Sequence, residues 1–262
     1  MLLENKVIVV TGGSAGLGEQ ICYEAARRGA IVVICARRGQ LINKVKEHCM
    51  TLSGKPAYAF QLDIADPESV ENVIASIREK VGKVDILVNN AGFGIFQEFT
   101  EMKPETIRNM FEVNVLGMMV LTQQIALEMV DQRSGHIINV ASMAGKIATP
   151  KTAVYSATKF AVLGFSNALR LELKPFGIHV TTVNPGPIET AFFDQADPSG
   201  NYLASLGTFV LEPTKLAKTI VKAMIHPNRE INRPQVMGVA AKFYTLFPAI
   251  GDYLAGSLFN KK

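Results

Sequence analysis

Tyr155 and Lys159 stand four residues apart in the run Tyr155-Ser156-Ala157-Thr158-Lys159, and on a helix that spacing stacks both side chains on one face. A free phenol has a pKa near ~10 and is a poor base at neutral pH. An ammonium within ~4–6 Å favours the phenolate and lowers that pKa by roughly 1–3 units. The pair would then pass a proton to or from an alcohol or ketone oxygen. Ser142 is suited to donate a hydrogen bond to the same oxygen and hold a substrate there. Alone, Tyr-x-x-x-Lys is ordinarily a solvated helix face, so its meaning depends on its company.

That company begins with Thr11-Gly12-Gly13-Ser14-Ala15-Gly16-Leu17-Gly18, placed between an apolar run and a helical pattern. Glycines there permit positive φ and let a diphosphate approach the backbone. The helix that follows offers free N–H groups to the anion. The same residues, Gly12-Gly13-Ser14-Ala15-Gly16, also match the G-x-S-x-G elbow of α/β-hydrolases. That reading is disfavoured, because one strand alone precedes the loop. The histidines (His48, His136, His179, His226) do not fall after a late strand, where the base belongs.

An NAD site usually places Asp or Glu at the end of the second strand, on the ribose 2′-hydroxyl. Here that strand ends Cys35-Ala36-Arg37-Arg38. A 2′-phosphate wants forked cationic donors and is repelled by an acid, so Arg37 and Arg38 favour NADP as cofactor.

The elements that must carry these groups alternate regularly. Strands are expected over residues 6–10, 30–35, 57–62, 85–89, 135–140 and 179–184, mostly as continuous apolar runs typical of strands covered on both faces. Helices are expected over 16–28, 40–52, 67–80, 103–131 and 152–175, with Asp66 capping the one that Pro67 opens. Such alternation implies an α/β fold of βαβ units with a parallel sheet and right-handed connections, and no linker divides residues 1–262. Thr11, Arg37, Asp63, Asn89-Asn90-Ala91-Gly92, Ser142 and Asn184-Pro185-Gly186-Pro187 then all fall at strand C-termini, the edge where ligands of open α/β sheets bind.

Composition bounds the rest. The 262 residues are 48% hydrophobic and 19% charged, enough for a sizeable core and unlike a disordered chain. A net charge of +4 is too small to argue for nucleic acid. Cys22, Cys35 and Cys49 form no C-x-x-C pair, no metal site is expected, and Met1-Leu2-Leu3-Glu4-Asn5-Lys6 is not expected to act as a secretory leader. A reducing, cytoplasmic setting is expected. No transmembrane span is expected; the nearest approach, residues 236–259, is broken by Lys242, Pro248 and Asp252.

Over nearly its whole length the chain resembles the short-chain dehydrogenase/reductase family. The resemblance rests on Thr11-Gly12-x-x-x-Gly16-x-Gly18, Asp63, Asn89-Asn90-Ala91-Gly92, Asn114, Ser142, Tyr155, Lys159 and Pro185-Gly186. It implies a single domain over 1–262, a three-layer Rossmann-type doubly wound parallel sheet of seven strands, and a Ser-Tyr-Lys catalytic set in which Tyr155 is the general acid/base and Ser142 orients the carbonyl. Lys159 would bond the nicotinamide ribose and depress the tyrosine pKa, and Asn114 would hold a water of the proton relay. The cofactor-contacting residues expected are Gly12, Ser14, Gly16, Leu17, Gly18, Arg37, Arg38, Asp63, Ile64, Asn90, Ala91, Gly92, Tyr155, Lys159, Pro185, Gly186, Ile188 and Thr190. Asp63 and Asn90 would lie on the adenine side, Ile188 and Thr190 by the nicotinamide amide and diphosphate.

Substrate would meet Phe93, Ile95, Phe96, Met143, Ile147, Phe192 and Phe193, with Tyr202 and Phe209 farther on. Such a lining suits a lipophilic carbonyl or alcohol. Residues 189–208 are expected to form a lid. The apolar tail 236–262 is expected to pack within a homodimer or homotetramer; a substrate wall and a peripheral membrane contact are the alternatives, the latter disfavoured by the low charge count. The function expected is an NADP(H)-dependent interconversion of a carbonyl and a secondary alcohol. Its rivals are a silent cofactor-binding scaffold or redox sensor, and a sugar-nucleotide epimerase, for which few residues remain after Gly186.

Overall fold

The computed structural model describes residues 3–197 and 210–258. Seven parallel strands form one sheet in the order β3-β2-β1-β4-β5-β6-β7. They are β1 Val7–Thr11, β2 Ile31–Ala36, β3 Tyr58–Gln61, β4 Ile86–Asn89, β5 Gly135–Val140, β6 Ile178–Pro185 and β7 Glu230–Arg233. Helices run between them: α1 Gly16–Ala26, α2 Gly39–Ser53, α3 Pro67–Lys80, α4 Pro104–Phe111, α5 Gly117–Gln132 and α6 Ala153–Leu173. After β6 come α7 Phe192–Ala196 and α8 Pro213–Ile225; after β7 come α9 Gln235–Leu246 and α10 Pro248–Leu258.

The unbroken apolar runs of the strands have two destinations. On β1, Ile8 and Val10 join α1, α2 and α8 in one core, while Val7 and Val9 join α3 and α5 in another. Successive side chains of a strand point to opposite faces, so a strand covered on both faces needs apolar residues throughout. The helix over 67–80 starts as expected, Glu68 N donating to the Asp66 carboxylate at 3.1 Å.

The stretch expected as one helix over 103–131 is interrupted. Residues Glu112–Leu116 form a π turn between α4 and α5, with Asn114 inside it. Pro104–Gln132 is also, by length and composition, a stretch apolar enough to cross a membrane; from sequence no such span is expected, and the nearest approach is residues 236–259. Half of its most apolar window is buried, with Leu121, Ile125 and Met129 in the second core. Such a stretch is what a core helix against a sheet requires.

Candidate active site

Strand order reverses between β1 and β4, and there the strand ends part to leave a crevice. The Thr11 hydroxyl closes its floor by accepting from Asn90 N and Ala91 N, both at 3.0 Å. Asn90 Nδ2 returns a bond to Thr11 O at 3.0 Å, so β1 and the loop after β4 form one rigid base. Gly12 sits at φ +66, and a Cβ on Gly18 would run into the carbonyl oxygen of Gly12. This cradle is made of backbone, the form a diphosphate needs.

A cavity of about 490 Å³ opens above it. It is lined by all the expected cofactor-contacting residues except Gly18, which lies behind the loop. Asn114 also stands behind the lining, 2% exposed. Its side chain accepts from Phe93 N at 3.0 Å and donates to Phe93 O at 2.8 Å and to Thr158 Oγ1 at 3.2 Å. The Asn114 amide, inside the π turn, therefore clamps the loop after β4 to α6. Arg38 donates to Ser14 Oγ at 2.8 Å, tying the end of β2 to the glycine loop. That bond, with no histidine along the cavity, removes Ser14 as a hydrolase nucleophile. His136 lies buried in β5, bonded to Thr181 Oγ1 at 2.8 Å and pushed down to about 4 by burial.

At the other end of the crevice, α6 brings Tyr155 and Lys159 to the cavity beside Ser142, which follows β5. Ser142 Oγ accepts from Ala144 N at 3.1 Å and donates to Pro185 O at 3.5 Å, close enough to the Tyr155 phenol to favour its charged form. Lys159 Nζ lies 5.7 Å from the Tyr155 ring centroid and donates to Val140 O at 3.1 Å. The sequence reading expected the ammonium to lower the phenol pKa. Instead, burial pushes Tyr155 up to about 12, against the effect of Ser142, and pulls Lys159 down to about 8. Both groups are under a tenth exposed, and loss of water disfavours each charged form.

Around the phenol stands an aromatic wall. The rings of Phe96 and Phe192 lie 5.7 and 5.8 Å from that of Tyr155, and Phe193 packs on both. Phe93, Met143 and Ile147 also line the cavity; Ile95 packs into the cluster of Met102, Met110 and Val154 instead. Tyr202, Phe209 and much of the expected lid lie outside the described residues. The described start of that segment is held by backbone bonds, Phe96 N to Ala196 O at 2.9 Å and Glu189 N to Leu211 O at 3.0 Å.

Three contributors were missed from sequence. Thr158 Oγ1 donates to Tyr155 O at 2.7 Å and accepts from Asn114, linking the two. Met237 of α9 reaches the cavity from the far C-terminal part. Gly117 lets α5 press on the loop after β3: a Cβ there would run into the carbonyl oxygen of Ile64. The Gly117 position, three residues past Asn114 in a helix, was the readable signal of the three.

The short chain dehydrogenase family model matches residues 6–200. The chain is 32% identical over 229 residues to a 3-ketodihydrosphingosine reductase of Bos taurus, covering 84% of this chain and 69% of that one. A short-chain dehydrogenase of Sphingobium yanoikuyae solved with NADPH superposes with a TM-score of 0.81, at 27% identity and 95% of each chain. A 3-ketoacyl-(acyl-carrier-protein) reductase of Brucella melitensis solved with NADH gives 0.79, at 30% identity over 88% of this chain and 97% of that one. The chain belongs to the short chain dehydrogenase family. It is an oxidoreductase acting between CH–OH and C=O groups.

Proposed function

We propose that this chain is an NADP(H)-dependent oxidoreductase for a lipophilic carbonyl or secondary alcohol, with Tyr155 as general acid/base. The observation that carries this reading is the shared cavity. One continuous space joins a backbone cradle with Arg37 and Arg38, the Ser142–Tyr155–Lys159 floor and the aromatic wall.

The residues fit a phosphorylated dinucleotide. Ala36 stands where an NAD site would carry an acid, and two guanidiniums follow it. Gly12, Ser14, Gly16 and Leu17 would meet the diphosphate, Asp63 and Ile64 the adenine, and Lys159, Pro185, Gly186, Ile188 and Thr190 the nicotinamide half. Bound there, NADPH would supply the hydride for the carbonyl carbon.

The side chains then manage the proton. Ser142 holds the substrate oxygen within reach of the phenol. With its pKa near 12, Tyr155 is neutral at pH 7 and hands its proton to the oxygen as charge grows there. The Lys159 ammonium lowers the cost of the phenolate left behind. Reduction therefore weakens as pH rises through about 8, where Lys159 loses its proton. Oxidation, which begins from the phenolate, gains with alkalinity. Opposite pH trends in the two directions check this assignment.

The three free cysteines are buried, in keeping with a reducing, cytoplasmic setting. Leu127, Phe160 and Leu171 stand exposed on α5 and α6, and pairing of those helices across a two-fold axis would cover them.

The test is a screen of aliphatic and aromatic ketones followed by NADPH absorbance, repeated with Tyr155→Phe. The substitution should lower turnover by about 10²–10⁴-fold while NADPH affinity stays nearly unchanged. Undiminished turnover would remove Tyr155 from the chemistry.

A further inference from the structure

The last two helices carry apolar side chains on both faces. Met237, Ala241 and Tyr244 of α9 turn toward the protein, Ala241 4% exposed and Met237 lining the cavity. Tyr244 packs on Gly251, and its hydroxyl donates to Asp252 Oδ1 at 2.6 Å, joining α9 to α10. The outward face holds Val236, Val239, Phe243, Leu246, Phe247 and Ile250, each between 43% and 72% exposed. Steps of three and four residues set these on one stripe of α9, carried past Pro248 into α10. A row of large apolar groups left in water marks an interaction surface.

We propose that this stripe rests on an anionic lipid surface. Three observations favour that occupant. By composition, residues 235–262 contain Lys242 and, outside the described residues, Lys261 and Lys262, against Asp252 alone; Asp252 is engaged by Tyr244, and the surplus suits phosphate headgroups. Met237 lines the cavity from the same helix that bears the stripe, so one face of α9 walls the cavity while the other is free to meet lipid. A second copy of the chain has a separate apolar face on α5 and α6, at Leu127, Phe160 and Leu171. An amphipathic helix with aromatic residues on its apolar side lies in a membrane interface by the same balance of forces. The advantage to catalysis rests on the lipophilic substrate proposed above; the binding does not.

The chain contains no tryptophan, so Phe247→Trp places a sole indole on the stripe. Mixed with vesicles of phosphatidylcholine and phosphatidylglycerol, its emission should move to the blue and be quenched by brominated acyl chains. Adding Phe243→Glu should weaken vesicle binding at least about tenfold and leave NADPH oxidation with a water-soluble ketone unchanged. Emission indifferent to vesicles overturns the proposal. So does a blue shift that follows protein concentration without lipid, which identifies a second copy as the occupant. Turnover without vesicle binding sinks the surface alone; vesicle binding without turnover of any carbonyl supports the surface and sinks the redox reading.

Discussion

The two ends of the crevice are built from different material. The glycine-loop end presents backbone: the Thr11 hydroxyl and the Asn90 side-chain amide tie the main chains of Thr11, Gly12, Asn90 and Ala91 together, and close approach leaves no room for a Cβ at Gly18. The catalytic end is side chain: Phe96 and Phe192 pack on one phenol, Phe193 packs on both of them, and Met237 reaches the same cavity from a third segment. A backbone site fixes one ligand shape and admits few substitutions. A side-chain site keeps its framework while its lining varies, which allows one fold to take different substrates.

Gly18→Ala is the severest test of that contrast. The added methyl meets the Gly12 carbonyl, so the start of α1 must move away from the loop. Overpacking of this sort costs about 1–3 kcal/mol, and NADPH affinity should fall by up to about 100-fold. Isothermal titration with NADPH reads it directly; an unaltered Kd would show that the cradle is not as tight as the contacts imply.

Lys159→Met probes where the two ends meet. Its ammonium titrates at 10.5 when free and about 8 in the protein. Between those values the unfolded chain binds a proton that the folded one lacks, so stability rises with pH across that window. The whole penalty, up to about 3 kcal/mol at ~1.4 kcal/mol per pKa unit, acts below pH 8. Methionine removes it and forfeits the bond to Val140 O, worth about 1 kcal/mol. Urea unfolding at pH 7 should find the variant more stable by about 2 kcal/mol, though inactive, and the gain should shrink toward pH 10. An equal gain at both pH values would locate its origin in packing.

The backbone end was also the legible end. Strand runs such as Val7-Ile8-Val9-Val10 declare burial on both faces, and glycines placed between strand and helix declare a close approach. The π turn was hidden because a single inserted residue barely disturbs the apolar periodicity of Pro104–Gln132, leaving Asn114, a polar residue on the buried side, as the hint. Strand β7, Glu-Ile-Asn-Arg, gave no apolar run because only Ile231 of its four residues is buried at the sheet edge; it was expected from family resemblance alone. The Tyr155 pKa went the other way from expectation because spacing reveals the neighbouring cation and conceals the burial. Met237 lies more than forty residues from every other part of the catalytic set, and nothing local announces it.

Ala36→Asp sharpens the comparison at the ribose. Ala36 ends β2 and lines the cavity beside Arg38. A carboxylate there repels a 2′-phosphate and can accept from a 2′-hydroxyl. The ratio of kcat/KM for NADPH to that for NADH should drop by roughly tenfold or more, equivalent to about 1.4 kcal/mol. A ratio that stays constant would dissociate the arginines from cofactor choice.

Phe192→Ala should have the smallest effect on the fold and still alter function. Phe192 is partly exposed, and its ring meets Tyr155 at 5.8 Å, Phe96 at 6.5 Å and Phe193 at 5.2 Å. Such contacts are worth about 0.5–1.5 kcal/mol each beyond area burial, but α7 is short and anchored by the buried Phe193 and Ala196. The global unfolding midpoint should therefore move little. With the ring gone, the Tyr155 phenol has one apolar wall fewer. Small ketones should lose several-fold in KM, at a nearly constant kcat, and bulkier ketones should lose less or gain. An equal loss of kcat for every ketone would instead mean that Phe192 holds Tyr155 in place, and the catalytic end would then share the rigidity of the glycine loop.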